Sequence, residues 1–152
     1  MSKSVKRVEQ AASKAGLDIR VQFMPESTRT AQDAAAACGC DVGQIVKSLI
    51  FEGATSGDLK LLLVSGRHDV DLDDAPRTFG EVLTRANPKR VRAETGFAIG
   101  GVAPIGHLSP LNTWMDRELL NHQTVWAAAG RPNAVFEISP VALADVTNAK
   151  VF

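Results

Sequence analysis

Two short apolar runs, Ser48 to Phe51 and Leu59 to Val64, flank the turn-forming stretch Gly53 to Asp58 near the middle of the chain. Apolar segments of strand length on either side of Gly/Asp turn chemistry predict a β-hairpin. Around it the hydrophobic period switches repeatedly. Val5, Val8, Ala11, Ala12 and Ala15 recur at helical spacing, with Gly16 where a helix stop belongs. Ile19, Val21 and Phe23 alternate with polar residues as a strand does, up to Pro25. Thr30 is placed to cap a helix over Ala31 to Cys38 that Gly39 ends, and Asp41 with Gln44 repeats the capping pattern for one short turn delivering Ile45, Val46 and Lys47. Farther on, Ala75 to Ala86 reads as a helix and Val91 as the start of an extended piece. Leu111 to Met115, Thr124 to Ala128 and Ala134 to Ile138 read as strands, and Ser139-Pro140 opens a last helix to about Val146. The expectation is one α/β (α+β) domain over residues 1–152, a mixed central sheet surrounded by helices.

A chain of 152 residues can bury roughly 70% of its unfolded surface, so it needs no staples. Its 17 basic and 17 acidic residues cancel, which argues against a non-specific nucleic-acid coat but leaves room for a local basic patch. One such patch, Arg85, Lys89, Arg90 and Arg92, is free of acids up to Glu94 and could meet RNA phosphates or simply face solvent. Cys38 and Cys40 are too close for a C-x-x-C clip and fit free thiols in a reducing compartment. Lys3, Lys6 and Arg7 precede no apolar signal core, and no run approaches the ~20 apolar residues of a membrane span. A cytoplasmic location is expected.

Three segments could carry chemistry. Glu94 to Gly106 holds four glycines and one proline, a composition that lets main-chain N–H groups converge on one oxygen; a tight structural turn is the other reading. It matches neither nucleotide-binding glycine fingerprint. Lys47, flanked by Ile45-Val46 and Leu49-Ile50-Phe51, either snorkels at a sheet edge or points into a cleft where its ammonium would hold an oxygen. Ala127 to Asn133 combines small residues with a turn, leaving room for a ligand or merely reversing the chain. There is no G-x-S-x-G elbow, and His68, His107 and His122 lack metal-ligand spacing.

Taken together, these segments resemble the YbaK/EbsC family, which includes the ProX-type editing domains related to prolyl-tRNA synthetase. Gly43 to Phe51 is similar to its first hallmark, Thr95 to Gly106 to its second (with G-x-x-x-P at Gly100 to Pro104), and Ala128 to Gly130 to its small-residue turn. Ser65 to Leu72 and Thr28 to Ala31 stand where members carry similar text, so the resemblance runs from about Thr28 to Leu143. It implies a partly barrel-like sheet and hydrolysis of the ester between a mismatched amino acid and its tRNA. It implies catalytic roles for Lys47, Gly100 and Gly101, and substrate contacts from Thr28, Thr30, His68, Gly96, Val102, Pro104, Gly106, Ala129 and Gly130. It implies tRNA as partner, with a synthetase as a further one, and neither metal nor cofactor. Cysteine-clearing relatives carry an acid after the small-residue turn; here that stretch is the apolar Ala134-Val-Phe136, which points to alanine or serine as the amino acid removed. A non-catalytic module that holds an amino acid or tRNA end, and an esterase of small metabolites, are the alternatives.

Overall fold

The structure is a computed structural model and describes residues 2–25 and 30–152. Five α-helices occur among these residues: α1 (Lys3–Lys14), α2 (Ala31–Cys38), α3 (Ala75–Phe79), α4 (Pro88–Thr95) and α5 (Pro140–Thr147). The strands are β1 (Gln22–Phe23), β2 (Ile45–Gly53), β3 (Leu59–Ser65), β4 (Leu83–Arg85), β5 (Asn112–Met115), β6 (Val125–Ala128), β7 (Ala134–Ile138) and β8 (Lys150–Val151). They form one mixed sheet in the order β1-β7-β6-β2-β3-β5-β8, with β4 attached to β2. The fold is the mixed α+β type that the sequence implied. Among the described residues no ladder joins β1 to β8, so the sheet is not closed into a barrel.

The hairpin lies at its centre. β2 and β3 pair antiparallel from Val46↔Ser65 to Glu52↔Leu59, and β3 is buried along its whole length. Alternation sorts the side chains onto two faces. Val46, Leu61 and Leu63 face the larger core with Ala127, Phe136 and the helix α1 residues Val5, Val8 and Ala12. Leu62 and Val64 face a smaller one with Phe79, Leu83 and Trp114.

The local signals explain most boundaries. Thr30 accepts from Asp33 N–H and Gly39 closes α2 at φ +67. Asp41 and Gln44 complete a reciprocal capping box on the one-turn helix Val42–Gln44, after which β2 starts at Ile45, three residues earlier than the apolar run suggested. Two expectations fail. The helix expected over Ala75 to Ala86 stops at Phe79, because Gly80 turns left-handed at φ +86, and Leu83 to Arg85 then pair with Gly53 to Phe51. Val91 is not extended but helical: Asn87 caps α4 and Pro88 occupies its first position, so Val91 is a buried residue on its inner face. The expected strand Ile19 to Phe23 shrinks to a two-residue pairing with β7.

Glu81 anchors the hairpin turn. Its carboxylate accepts from the N–H groups of Thr55 and Ser56 and the Ser56 hydroxyl, and lies 3.2 Å from Lys60 Nζ. Hydrogen bonds from Ser56, then Thr55 and Lys60, lower its pKa from 4.5 to about 2. A depressed folded-state pKa contributes stability above the unfolded value and loses it as pH falls. The melting-temperature gap between wild type and Glu81→Gln should be widest near neutrality and close between about pH 4.5 and 2. A gap unchanged at pH 2 in thermal melts would contradict this account of the turn.

Candidate functional site

β2 sits mid-sheet yet is partly exposed from Lys47 to Glu52. Its pairing also leaves a gap along one edge. One edge of β2 is covered by β3. The other edge is shared by two strands, β6 at Ile45 and Val46 and β4 from Phe51 to Gly53. Between them the main-chain edge at positions 47–50 has no strand beside it among the described residues. Extending the parallel register puts Lys47 level with Ala128 and Ser48 level with Ala129, so the β6–β7 turn lies at one end of this gap. Arg85, opposite Phe51, lies at the other.

The glycine loop reaches the same turn. A Cβ on Gly101 would come within 3.2 Å of Arg131 Cα and 3.4 Å of Gly130 O, so the two main chains approach closely and an added methyl would be crowded. Gly100, at φ +95, sits third in a four-residue turn closed by Gly101 N–H donating to Ala98 O. That bond occupies the Gly101 N–H, so it is not a donor for a ligand. The N–H groups of Gly100, Val102 and Ala103 have no hydrogen-bond partner among the described residues. Val102 and Ala103 are buried, and a buried main-chain N–H is seldom left unpaired. Ser48 Oγ is likewise buried without a partner. It shares the β2 face of Val46, which belongs to the same core cluster as Val102, Ala103 and Ile105.

Lys47 leaves β2 on the opposite face, beside Val64. Its ammonium donates to the main-chain carbonyl of His68 and lies 3.4 Å from Asp69 Oδ1. His68 is itself oriented: Nδ1 is 2.8 Å from Asp116 Oδ2, and that buried carboxylate also accepts from Ser65 N–H and Glu118 N–H. With Nδ1 engaged, Nε2 is the ring nitrogen left without a partner among the described residues, on an exposed side chain. Lys47, His68 and Asp116 thus form one cluster, and Gly100 to Ala103 with Ala129 to Arg131 form another. Lys47 leaves β2 on the face opposite Val46, whose core cluster holds Val102 and Ala103, and neither of two hollows elsewhere on the molecule encloses both clusters. These hollows, of about 500 and 590 Å³, contain neither Lys47 nor Gly100 nor Gly101.

The remaining sequence-derived residues divide. Ala129 is fully buried and its N–H donates to Ala134 O. Gly130, at φ +98, packs on Ser4. Pro104 and Gly106 line the larger hollow with His107. Gly96 caps α4, and Thr30 spends its hydroxyl capping α2. Thr28 lies outside the described residues. In the basic patch, Arg90 is held by both Glu94 and Glu52, whereas Arg85, Lys89 and Arg92 are exposed. Sequence reasoning missed Ser48, Asp116 and Glu52, none of which has a spacing signal. Neither cysteine is poised as a nucleophile: burial, then Cys40 and Glu137, push the Cys38 thiol up to about 11. Burial also lowers the pKa of His107, whose Nε2 binds Ala103 O. Among the described residues no cluster of His, Cys, Asp or Glu could hold a metal ion, and no helix is long and apolar enough to cross a membrane.

A family model described as an aminoacyl-tRNA editing domain matches residues 25–146. A crystal structure provisionally described as a trans-editing enzyme for prolyl tRNA synthetase superposes with a TM-score of 0.92 at 47% identity, covering 100% of this chain and 96% of that one. YwhH of Bacillus subtilis, an uncharacterised protein, is 34% identical over 127 residues, 83% of this chain and 80% of that protein. EbsC of Enterococcus faecalis, provisionally named a Cys-tRNA(Pro)/Cys-tRNA(Cys) deacylase, is 26% identical over 124 residues, 81% of this chain and 75% of that one.

Backbone geometry separates two glycines of the site. A Cβ at Gly100 meets nothing within 4 Å, so Gly100→Ala carries only the left-handed penalty of ~1–2 kcal/mol. A Cβ at Gly130 would lie 2.9 Å from the Ser4 carbonyl carbon, so Gly130→Ala should destabilise more. Urea unfolding reads the order; Gly100→Ala as the worse variant would contradict the packing.

Proposed function

Because the chain belongs to the aminoacyl-tRNA editing domain family, we propose that it hydrolyses the ester joining a wrong, small amino acid to a tRNA. The observation that carries this reading is that the N–H groups of the buried residues Val102 and Ala103, and of exposed Gly100, have no partner among the described residues. An aminoacyl ester is already activated and needs no strong nucleophile. It needs a site for the negative charge that develops on its carbonyl oxygen, and each such preorganised donor is typically worth about 3 kcal/mol.

Water attacks the acyl carbon, the bond to the ribose oxygen breaks, and that oxygen leaves with a proton. Gly100, Val102 and Ala103 donate to the carbonyl oxygen. Gly101, with its N–H already spent, supplies close approach to Arg131. Lys47 meets negative charge on the terminal nucleotide. His68, its Nδ1 fixed by Asp116, offers Nε2 to orient the water or a ribose hydroxyl. Arg85, at the end of the gap, with Lys89 and Arg92, offers positive charge to the acceptor-stem phosphates.

A second site of this kind has a physical reason to exist. A synthetase pocket separates amino acids that differ by one methylene by only ~1–3 kcal/mol. The apolar, buried Ala134, Val135 and Phe136 support alanine or serine as the amino acid removed. The likeness to a trans-editing structure supports tRNA(Pro) as its carrier.

The decisive measurement is release of amino acid from tRNA(Pro) charged with alanine, serine, cysteine or proline. Wild type should clear alanine or serine fastest. Lys47→Ala should lose roughly 10²-fold in kcat/KM, and Gly101→Ala, whose Cβ would press on Arg131, at least tenfold. Full activity in both variants would end this mechanism. Tight binding of charged tRNA with no turnover by wild type would favour a non-catalytic binding module.

A further inference from the structure

We propose that Arg7 of α1 is a positioning residue that holds both ends of the glycine loop, so that α1 belongs to the working site although it lies outside the family-matched residues 25–146. The inference rests on the reading of the loop as a carbonyl-binding element. The loop between Gly96 and Gly106 has no strand partner among the described residues, and its start and finish converge on one guanidinium. Arg7 Nη2 donates to Gly96 O at 2.7 Å and Arg7 Nε to Gly106 O at 3.3 Å. The same group lies over the ring of buried Phe97, 4.8 Å from its centroid. A Cβ on Gly106 would come within 3.1 Å of Arg7 O and 3.2 Å of Val8 Cα, so helix and loop main chains are in direct contact. One turn earlier Ser4 packs against Gly130. Both segments that meet at Gly101 and Arg131 are therefore seated on the first two turns of a single helix.

The side chain suits the task. Spanning two carbonyls needs two donors in a rigid fork, which a guanidinium has; an ammonium at the end of a flexible stem reaches one. Donors aimed at a developing oxyanion lose their effect with displacements near 1 Å. Loosening the loop should therefore slow turnover more than it weakens grip on the tRNA, which other residues hold.

The test compares Arg7→Ala, Arg7→Lys and Ala12→Gly. The last weakens the same helix at a buried position of α1 that bears on neither carbonyl. At a temperature where all are folded, Arg7→Ala should lower kcat at least tenfold with KM within about threefold of wild type. Arg7→Lys should recover part of that loss, and Ala12→Gly should keep the wild-type kcat. Independently of activity, amide hydrogen exchange across residues 98–106 should quicken in Arg7→Ala and not in Ala12→Gly. Wild-type kcat in Arg7→Ala, or an equal loss in Ala12→Gly, would overturn the proposal. If wild type releases no amino acid from any charged tRNA, the deacylase reading fails, and exchange still decides: loop protection unchanged in Arg7→Ala would then overturn the clamp.

Discussion

The β2–β3 ladder is the constraint from which the rest follows. Seven consecutive pairs, from Val46↔Ser65 to Glu52↔Leu59, commit one edge of β2 entirely and leave the other to be divided between β6 and β4. Because β3 is buried throughout, neither core can form unless this register is right, and a slip of one residue would exchange the Val46 and Lys47 faces. The register that buries Leu61 and Leu63 also sends the Lys47 ammonium toward His68.

The site that results is assembled from main chain as much as from side chains. Its charged part is held by a hydrogen-bonded relay from Asp116 through His68 to the carbonyl that Lys47 binds. Its uncharged part is a loop with little hydrogen bonding of its own beyond the Ala98–Gly101 turn, supported by helix and turn contacts from outside. Polar groups kept unsatisfied in a buried place are a standing cost in stability, and here Ser48, Val102 and Ala103 lie on the same side of the sheet. On the proposed reading, a substrate carbonyl arriving there would recover that cost.

What could be read in the amino-acid order was what short-range chemistry dictates. Thr30, Gly39, Asp41 and Gln44 announce their caps, and the hairpin follows from two apolar runs and a turn. The glycine loop and Lys47 stood out because their composition or setting is locally odd. The misses are of another kind. Gly80 breaks a period that otherwise continues to Ala86, and only the pairing of Leu83 with Gly53 shows that the chain beyond it is a strand. Arg90 pairs with Glu94 one turn on, but its second partner, Glu52, is 38 residues away. Asp116, 48 residues from His68, and Arg7, 89 residues from Gly96, carry no mark of their partners. Long-range electrostatic pairing is decided by topology, which spacing along the chain does not encode.

The missing neighbour along β2 also bears on solubility. An unpaired row of peptide groups ordinarily invites a foreign strand to dock and seed aggregation. At about 3.3 Å per residue, the bare stretch at positions 47–50 is only roughly 13 Å long, and native strands stand at either end of it. An intruding chain could form a few pairs before meeting β6 or β4. The bare stretch is too short to template a fibril.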